Sequence, residues 1–509
     1  MSQHTRIHFI PWTVLCCLLV LLGWSNEGSC SQTSEATGEC LTCHEALHPG
    51  IVQGWRKSHH AQVTPSNAQK KPDLERRMSG TAVPDALQNK AVGCFECHGM
   101  RADAHKDSFE HNGYTIHIVV SPDDCATCHE VERRQYRDNT MSFAHTNLVK
   151  NGLYQDLIAS INGTMFFQGQ SLKSVPPNEK TNADSCLFCH GTSIAITGSA
   201  ARETDFGEMT FPILSGWPNQ GVGRINPDGS AGSCTSCHPR HDFSIAAARK
   251  PAACAECHIG PDVPAYKVFE ASKHGAIYTS QESTWTFDAV PWTVGKDFSA
   301  PTCAACHASL LVNSAGEVMA ERSHAFTDRI PWRILGLIYA HPHAAAPDNT
   351  NIRNSAGIPL PTELSGEPVA QFVITSEEQT KRKKQMQASC RGCHSSQWIE
   401  NHWSGFENTI AETNAAVRTG TQIMAGIWEQ GLVQGLPQKQ SIFDDAVERT
   451  WTSLWLFYAN TVRFASAMAG GGDYGVFANG RYFMSGAIMD LKDWMDGRMK
   501  VEEKPEQKK

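Results

Sequence analysis

Eight Cys-x-x-Cys-His motifs constrain this chain more strongly than any other feature of its sequence, and they account for 16 of its 19 cysteines. Two thiols separated by two residues can form thioethers with the two vinyl groups of one porphyrin, while the adjacent imidazole reaches the iron. Each motif therefore predicts one covalently attached haem c. The predicted attachment cysteines are Cys40, Cys43, Cys94, Cys97, Cys125, Cys128, Cys186, Cys189, Cys234, Cys237, Cys254, Cys257, Cys303, Cys306, Cys390 and Cys393. The predicted iron ligands of the motifs are His44, His98, His129, His190, His238, His258, His307 and His394.

The N-terminus has the layout of a secretory signal peptide, which we assign to residues 1–30. Arg6 and His8 precede an apolar run, and a polar stretch of small residues follows it. An uncleaved membrane anchor is the alternative, although the run is short for a membrane span. The remaining cysteines, Cys16, Cys17 and Cys30, all lie in this segment. We expect an exported protein in the periplasm or an equivalent compartment, with no membrane span in the mature chain.

The motifs run continuously from Cys40 to His394, which predicts one extended multihaem domain over residues 31–375. Apolar residues make up 40% of the chain, below the usual ~45–50%. Haems can fill that difference as large apolar groups that the sequence does not encode. The net charge of −8 argues against nucleic acid as a partner.

The sequence beyond residue 343 changes character. Residues 344–368 are rich in Pro, Asn, Gly and Ser and predict a long loop. A helical domain is predicted over residues 376–499, including a helix that begins near Ser441 with Asp444 as its capping partner. A second helix is predicted at about 478–499, followed by a disordered tail at 500–509. The predicted fold class is predominantly α with little strand.

The second axial ligand of each iron decides between electron transfer and catalysis, because only an open iron can bind a small molecule. Of the 23 histidines, eight belong to motifs and two lie near the N-terminus. The others are candidates for the second ligands, and their number alone does not reveal an open site. They are His48, His59, His60, His105, His111, His117, His145, His241, His274, His324, His341, His343 and His402.

Several segments, in the same order along the chain, resemble the octahaem hydroxylamine oxidoreductases. They are residues 55–61, 237–244, 249–251, 272–275 and 300–307. The resemblance implies seven haems with two histidine ligands and one, on the fourth motif, with an open face. The implied second ligands are His60, His111, His145, His241, His274, His324 and His402, with His59 and His117 as alternatives to His60 and His111.

The resemblance also implies two catalytic residues. In the oxidative members a tyrosine from a neighbouring subunit is linked covalently to the open haem, and Tyr474 is the local match, with Tyr482 as the alternative. Asp262 matches an acidic residue over that haem, which can accept a proton from substrate. The family usually has a histidine after this aspartate, whereas Val263 follows it here.

The implied function is oxidation of hydroxylamine to nitric oxide or nitrite, with electrons passing through seven haems to a soluble c-type cytochrome. Oxidation of hydrazine is the nearest alternative. Reduction of nitrite or hydroxylamine, and a non-catalytic electron conduit, are the others. Donation of a tyrosine between subunits implies a homotrimer.

Overall fold

The computed structural model describes residues 31–502, and helix is its main regular structure. The predicted fold class, predominantly α with little strand, is confirmed. The predicted signal peptide at 1–30 and most of the predicted tail at 500–509 lie outside the described residues. The last helix continues to Glu502.

Helices in the part that carries the first seven motifs are short. Those of seven residues or more are Glu35–Leu47, Pro49–Lys57, Glu130–Arg137, Ala144–Lys150, Gly152–Asn162 and Lys273–Gln281. The shorter ones are His59–Gln62, Pro65–Gln69, Asp85–Gln88, Cys94–His98, Pro122–Cys125, Glu179–Asp184, Cys186–His190, Ile245–Arg249, Pro251–Ala255, Ala265–Glu270 and Cys303–His307. Five of these short helices begin at or end within a motif, so local backbone hydrogen bonds order these motifs.

Strands form small, separate sheets. The antiparallel hairpins are Ser108–His111 with Tyr114–His117, Thr164–Gln168 with Ser171–Val175, Ala195–Thr204 with Gly207–Ser215, and Trp332–Arg333 with His341–Pro342. A three-stranded sheet joins Trp292–Thr293, Leu311–Val312 and Val318–Ala320. In the first hairpin, Asn112 and Gly113 both have positive φ (51° and 84°), which gives the tight turn that Asn-Gly favours.

Long helices dominate the C-terminal part. They are Ser376–Cys390, Ser396–Glu429, Ala446–Ser453, Ala459–Ala467 and Arg481–Glu502, with a short helix at Gly472–Val476. A π-helical segment, Leu454–Tyr458, joins two of them. Their apolar faces meet in the largest hydrophobic core of the described chain, in which Trp428, Trp451 and Trp455 are at most 1% exposed.

Two predicted features of this part need correction. The helix near residue 441 begins at Ala446, because Asp445 caps it and Glu448 completes the capping box; the pairing of Ser441 with Asp444 was wrong. The hairpin at residues 195–215 was not predicted. The long loop at 344–368 is confirmed, since it contains no helix or strand.

Within residues 31–502, none of the helices combines the length and the apolar character that crossing a membrane requires.

Candidate haem sites and the fourth motif

The part of the chain that carries the motifs encloses a branched cavity of about 2270 Å³. This volume is more than twice the ~1,000 Å³ at the upper end of ordinary ligand pockets. All eight motif histidines line it. The chain therefore surrounds space for several large groups rather than for one substrate.

Four histidine pairs face each other across the cavity at nearly one separation. Their ring centres are 6.1–6.4 Å apart: His44 with His111, His60 with His129, His238 with His324, and His274 with His394. A ligating imidazole nitrogen lies about 2.0 Å from its metal, which places two rings on opposite faces of one ion about 6 Å apart. Each pair consists of one motif histidine and one predicted second ligand.

Burial keeps these imidazoles in the form that binds metal. It lowers the pKa of His60 and of His238 to about 4. The neutral ring, whose nitrogen lone pair is available to iron, is therefore the form present at neutral pH.

A repeated local structure places two of the second ligands. Ser58 and Ser272 each cap a helix, and their hydroxyl oxygens accept hydrogen bonds from the backbone N–H groups of Ala61 and Gly275. In both cases a histidine follows two residues after the serine, in the first turn, so a capped helix N-terminus holds His60 and His274.

The two predicted alternatives differ in position from the residues they compete with. His117 stacks on His105 at 3.6 Å and its Nε2 donates to the Met100 carbonyl. The rings of His117 and the motif residue His98 also have centres 6.1 Å apart, and Nδ1 of His98 donates a hydrogen bond to the backbone carbonyl of His117. His59 lines the cavity, but it is its neighbour His60 whose ring faces a motif histidine, His129.

The remaining predicted second ligands divide into two groups. His241 and His402 line the cavity, and His241 lies within electrostatic range of His98. His145 does not line it, and its Nδ1 donates to the carbonyl of Gly191 at 2.7 Å. His343, which the sequence did not single out, is 6% exposed and does line the cavity.

Buried guanidinium groups provide a test of whether haem fits this cavity. Arg224, Arg249 and Arg329 line it, are 2–4% exposed, and donate to carbonyl or amide oxygens rather than to carboxylates. Burial lowers the pKa of Arg224 and Arg249 to about 10. Cations buried without a direct salt bridge are costly, and the carboxylates of haem propionates would offset that cost. The donor set therefore fits haem c.

The thiols of successive motifs lie close together and define an order in space. Direct thiol–thiol interactions join Cys40 with Cys94, Cys125 with Cys234, Cys189 with Cys257, and Cys254 with Cys303. Weaker electrostatic interactions join Cys97 with Cys128, Cys237 with Cys254, and Cys306 with Cys390. The motifs thus form one row in the order first, second, third, fifth, sixth, seventh and eighth. The fourth motif contacts the row at the sixth.

The predicted proton acceptor lies at this fourth motif. Asp262 lines the cavity, is exposed, and acts electrostatically on His190 and Cys186 of the motif. Its Oδ1 folds back over Gly260, where a Cβ atom would lie 2.5 Å from that oxygen. Glycine at position 260 therefore allows this position of the carboxylate.

Two polar residues next to Asp262, Asn460 and Arg463, were not identified from the sequence. Asn460 donates from Nδ2 to the backbone carbonyl of Asp262 at 3.1 Å. Arg463, which is fully buried, donates to Oδ1 of Asn460 at 3.1 Å and to the Ile334 carbonyl. The aspartate and these two residues are about 200 positions apart in sequence, so no local pattern could have revealed the contact.

Tyr474 lies elsewhere. Its ring packs against Val268 and Phe464 of its own chain, in an apolar cluster that also contains Val263. It does not line the cavity. Tyr482, the alternative, is 64% exposed on the last helix. Within one described chain, neither tyrosine reaches the fourth motif.

Comparisons with known proteins agree with the haem sites. A family model described as "Seven times multi-haem cytochrome CxxCH" matches residues 228–335, and one described as "Cytochrome c554 and c-prime" matches residues 39–117. The chain is 23% identical, over 80% of its length, to a probable nitrite reductase-hydroxylamine oxidoreductase fusion protein of Kuenenia stuttgartiensis. It spans only 39% of the length of that protein.

Two solved structures share the fold. A reducing HAO-like protein complex of Kuenenia stuttgartiensis matches 92% of the chain and 86% of its own, with a TM-score of 0.60 and 18% identity. A hypothetical multiheme protein matches 93% of the chain and 98% of its own, with a TM-score of 0.86 and 36% identity. With identity at this level over nearly the whole of both chains, this protein belongs to the same family of multihaem c-type cytochromes.

Proposed function

We propose that this chain is an exported, periplasmic oxidoreductase that oxidises hydroxylamine at the fourth motif. The observation that supports this proposal most directly is a comparison between the motif histidines and the other histidines that line the cavity. Four motif histidines have facing partners. Of the six other histidines on the wall, His48 contacts His44, His59 adjoins the paired His60 and His117 stacks on His105. We assign the remaining three, His241, His343 and His402, to three more motifs. The fourth motif is then the one without a second histidine, and Asp262 lies beside it.

The chain would hold eight haems through its motif cysteines and histidines. We assign His241 to the iron of His98, because these two residues interact electrostatically. By elimination, we assign His343 and His402 to the two motif histidines that still lack a partner, His258 and His307. This set replaces His145, which lies outside the cavity wall, with His343. Bound haem iron supplies a position for the nitrogen of a small substrate and a path for electrons.

The role of Asp262 follows from its surroundings. Oxidation of hydroxylamine releases protons from N–H and O–H groups, and a carboxylate next to the fourth motif can accept them. Its exposure lets those protons pass to solvent. Asn460 and Arg463 hold the backbone of this segment from behind, so they are positioning residues.

Electrons would leave along the row of motifs, entering it at the sixth. The row ends at the first and eighth motifs, and Cys393 of the eighth is exposed. A soluble c-type cytochrome could therefore receive electrons at an end of the row. A cytochrome partner also agrees with the assembly of the HAO-like structure as a complex.

Reduction of nitrite or hydroxylamine at the same site is the second candidate. Tyr474 packs within its own chain rather than in the cavity, and one structure with this fold is described as reducing. Oxidation requires, in our proposal, that Tyr474 of a neighbouring subunit reaches the fourth haem in a homotrimer. Hydrazine is the alternative oxidisable substrate.

Steady-state assays on the purified holoprotein separate these possibilities. Hydroxylamine and hydrazine are supplied with an oxidised c-type cytochrome, and nitrite and hydroxylamine with a reduced viologen dye. We expect hydroxylamine oxidation to be the fastest reaction, and Asp262→Asn to lower its kcat at least tenfold. Asp493→Asn, an exposed carboxylate on the last helix, is the matched control. Faster reduction in the viologen assay would contradict the oxidative proposal.

The tyrosine link has its own test. Denaturing electrophoresis of wild-type protein should show a covalent oligomer that Tyr474→Phe abolishes and Tyr482→Phe retains. A single-chain band in the wild type would support the reductive candidate.

The ligand assignment is tested by substitution of the two competing histidines. His343→Ala should convert one low-spin haem to high spin in the EPR spectrum, whereas His145→Ala should leave the spectrum unchanged. The reverse result would restore His145 as the ligand.

A further inference from the structure

A buried polar cluster between the second and third motifs is not used by the proposed reaction. It contains His105, His117 and Asp124, whose candidate ligand atoms all lie within 4.8 Å of one another. The three residues are 4%, 0% and 3% exposed. Two imidazoles and a carboxylate grouped in this way are a donor set that zinc prefers.

One nitrogen of each ring is already oriented by a hydrogen bond. Nδ1 of His105 lies 3.3 Å from a carboxylate oxygen of Asp107, and Nε2 of His117 donates to the Met100 carbonyl at 2.9 Å. A metal-ligating histidine usually donates its other N–H to a carboxylate or a backbone carbonyl, which fixes the tautomer and the ring. Both histidines show this pattern.

The other nitrogens of the two rings differ in their contacts. Nε2 of His105 lies 3.1 Å from a carboxylate oxygen of Asp124. Nδ1 of His117 is buried and has no hydrogen-bond partner among the described residues. A buried nitrogen without a partner costs free energy, and a bound ion would satisfy it. This orphaned nitrogen is the second observation that points to a ligand.

The charges of the cluster favour a divalent cation. The carboxylates of Asp107, Asp124 and Asp228 face a single guanidinium, that of Arg101, which contacts both Asp124 and Asp228. Against the effect of burial, hydrogen bonds to Asp107 and Asp124 raise the pKa of His105 to about 9, so a metal ion would displace a proton from this ring. Once that proton has left, three negative charges and one positive charge leave a formal charge of −2. One divalent ion would balance it, and it would bind three protein groups directly.

We propose that His105, His117 and Asp124 form a structural zinc site. Asp228, with a carboxylate oxygen 3.9 Å from Nε2 of His105, is the nearest fourth ligand. Since the two rings stack in parallel, coordination requires one of them to turn so that both lone pairs converge. The His117 carbonyl accepts a hydrogen bond from His98, so the ion would fix the segment that holds the second haem's ligand. The inference does not depend on the reaction proposed for the fourth motif.

Metal analysis of the purified holoprotein tests the site without reference to activity. After exposure to zinc and desalting, mass spectrometry should find about one zinc for every eight irons. Asp124→Asn and His105→Gln should each lower zinc at least fivefold at unchanged iron content. Asp103→Asn, an exposed carboxylate in the same loop, is the matched control and should retain zinc.

Calorimetric titration of chelator-treated wild-type protein with zinc gives a second measurement that needs no variant. Saturable uptake of one equivalent supports the site. Zinc below about 0.1 per chain in the wild type overturns it, and so does full zinc retention in Asp124→Asn.

Discussion

The part of the chain at residues 31–375 and the part at 376–502 reach stability by different routes. In the first, short helices and small hairpins surround a cavity, and the buried apolar residues form several small clusters. In the second, long helices bury tryptophan and leucine against one another in one continuous core. The first part therefore needs its cofactors as core, whereas the core of the second consists of side chains, most of them its own, with Leu153, Leu157 and residues 337–360 of the first part packed against them.

The comparison explains the low apolar content noted in the sequence. A segment that surrounds a haem requires histidine, cysteine and arginine at fixed positions, and it requires fewer leucines because the porphyrin supplies apolar surface. Apolar burial contributes about 25 cal/mol for each Å² removed from water, and in the first part much of that area would belong to porphyrin. Four predictions test this difference between the two parts of the chain.

The largest effect should follow from preventing haem attachment. Full-length chain produced without cytochrome c maturation should lose the structure of residues 31–375, because the cavity walls would have no core to pack on. Limited proteolysis should cut within these residues first and within 376–502 last. Equal resistance of both parts would show that the contrast is wrong.

A core substitution in the second part should be costly even with every haem bound. Trp451→Ala removes a side chain that is 0% exposed and packs against Trp428 and Trp455. We expect a loss of about 3–5 kcal/mol in the free energy of unfolding. Trp398→Ala, at 40% exposure, is the control and should cost much less. Denaturant unfolding followed by far-UV circular dichroism gives both values.

Glu448 should make the stability of the second part depend on pH. Burial raises its pKa to about 7, while its oxygens accept hydrogen bonds from Trp428 and the backbone of Asp445. Because the folded state holds the proton more tightly, the contribution is complete below about pH 4.5 and is lost as pH rises to about 7. It amounts to at most about 3 kcal/mol.

Glu448→Gln should remove this part of the pH dependence while keeping an acceptor for the backbone. Glu429→Gln, on an exposed position of the neighbouring helix, should keep it. Unfolding midpoints measured from pH 4 to pH 8 decide the matter; an unchanged slope in Glu448→Gln would count against a raised pKa.

The smallest effect should come from loss of one hydrogen bond between the two parts, that from Asn460 to Asp262. Asn460→Ala removes the hydrogen bond to the Asp262 carbonyl, and we expect hydroxylamine turnover to fall about tenfold with KM nearly unchanged. Asn460→Asp cannot donate and should show the same loss. If both variants turn over at the wild-type rate, the helical part does not position Asp262.

The sequence was sufficient where function depends on local pattern. The eight motifs were predicted in this way. The serine caps before His60 and His274 and the Asn-Gly turn beside His111 also span only a few residues, although only the structure revealed them. The sequence was insufficient where distant segments meet. Asn460 contacts Asp262 from 198 positions away, and His343 reaches the cavity from directly after the strand His341–Pro342. Propensity also favoured the wrong cap for the helix at Ala446, since Ser441 and Asp445 are both good capping residues and only packing chooses between them.

The branch at the sixth motif has a further consequence. The fourth motif contacts the row of the other seven only at the sixth motif. Electrons can therefore pass between the first and eighth motifs without passing through the proposed substrate site at the fourth. Under the proposed reaction, the seven other haem sites could hold the several electrons released from one hydroxylamine molecule until acceptors that take one electron each have bound in turn. The rate of substrate oxidation would then not be limited, at each turnover, by the rate at which acceptors bind.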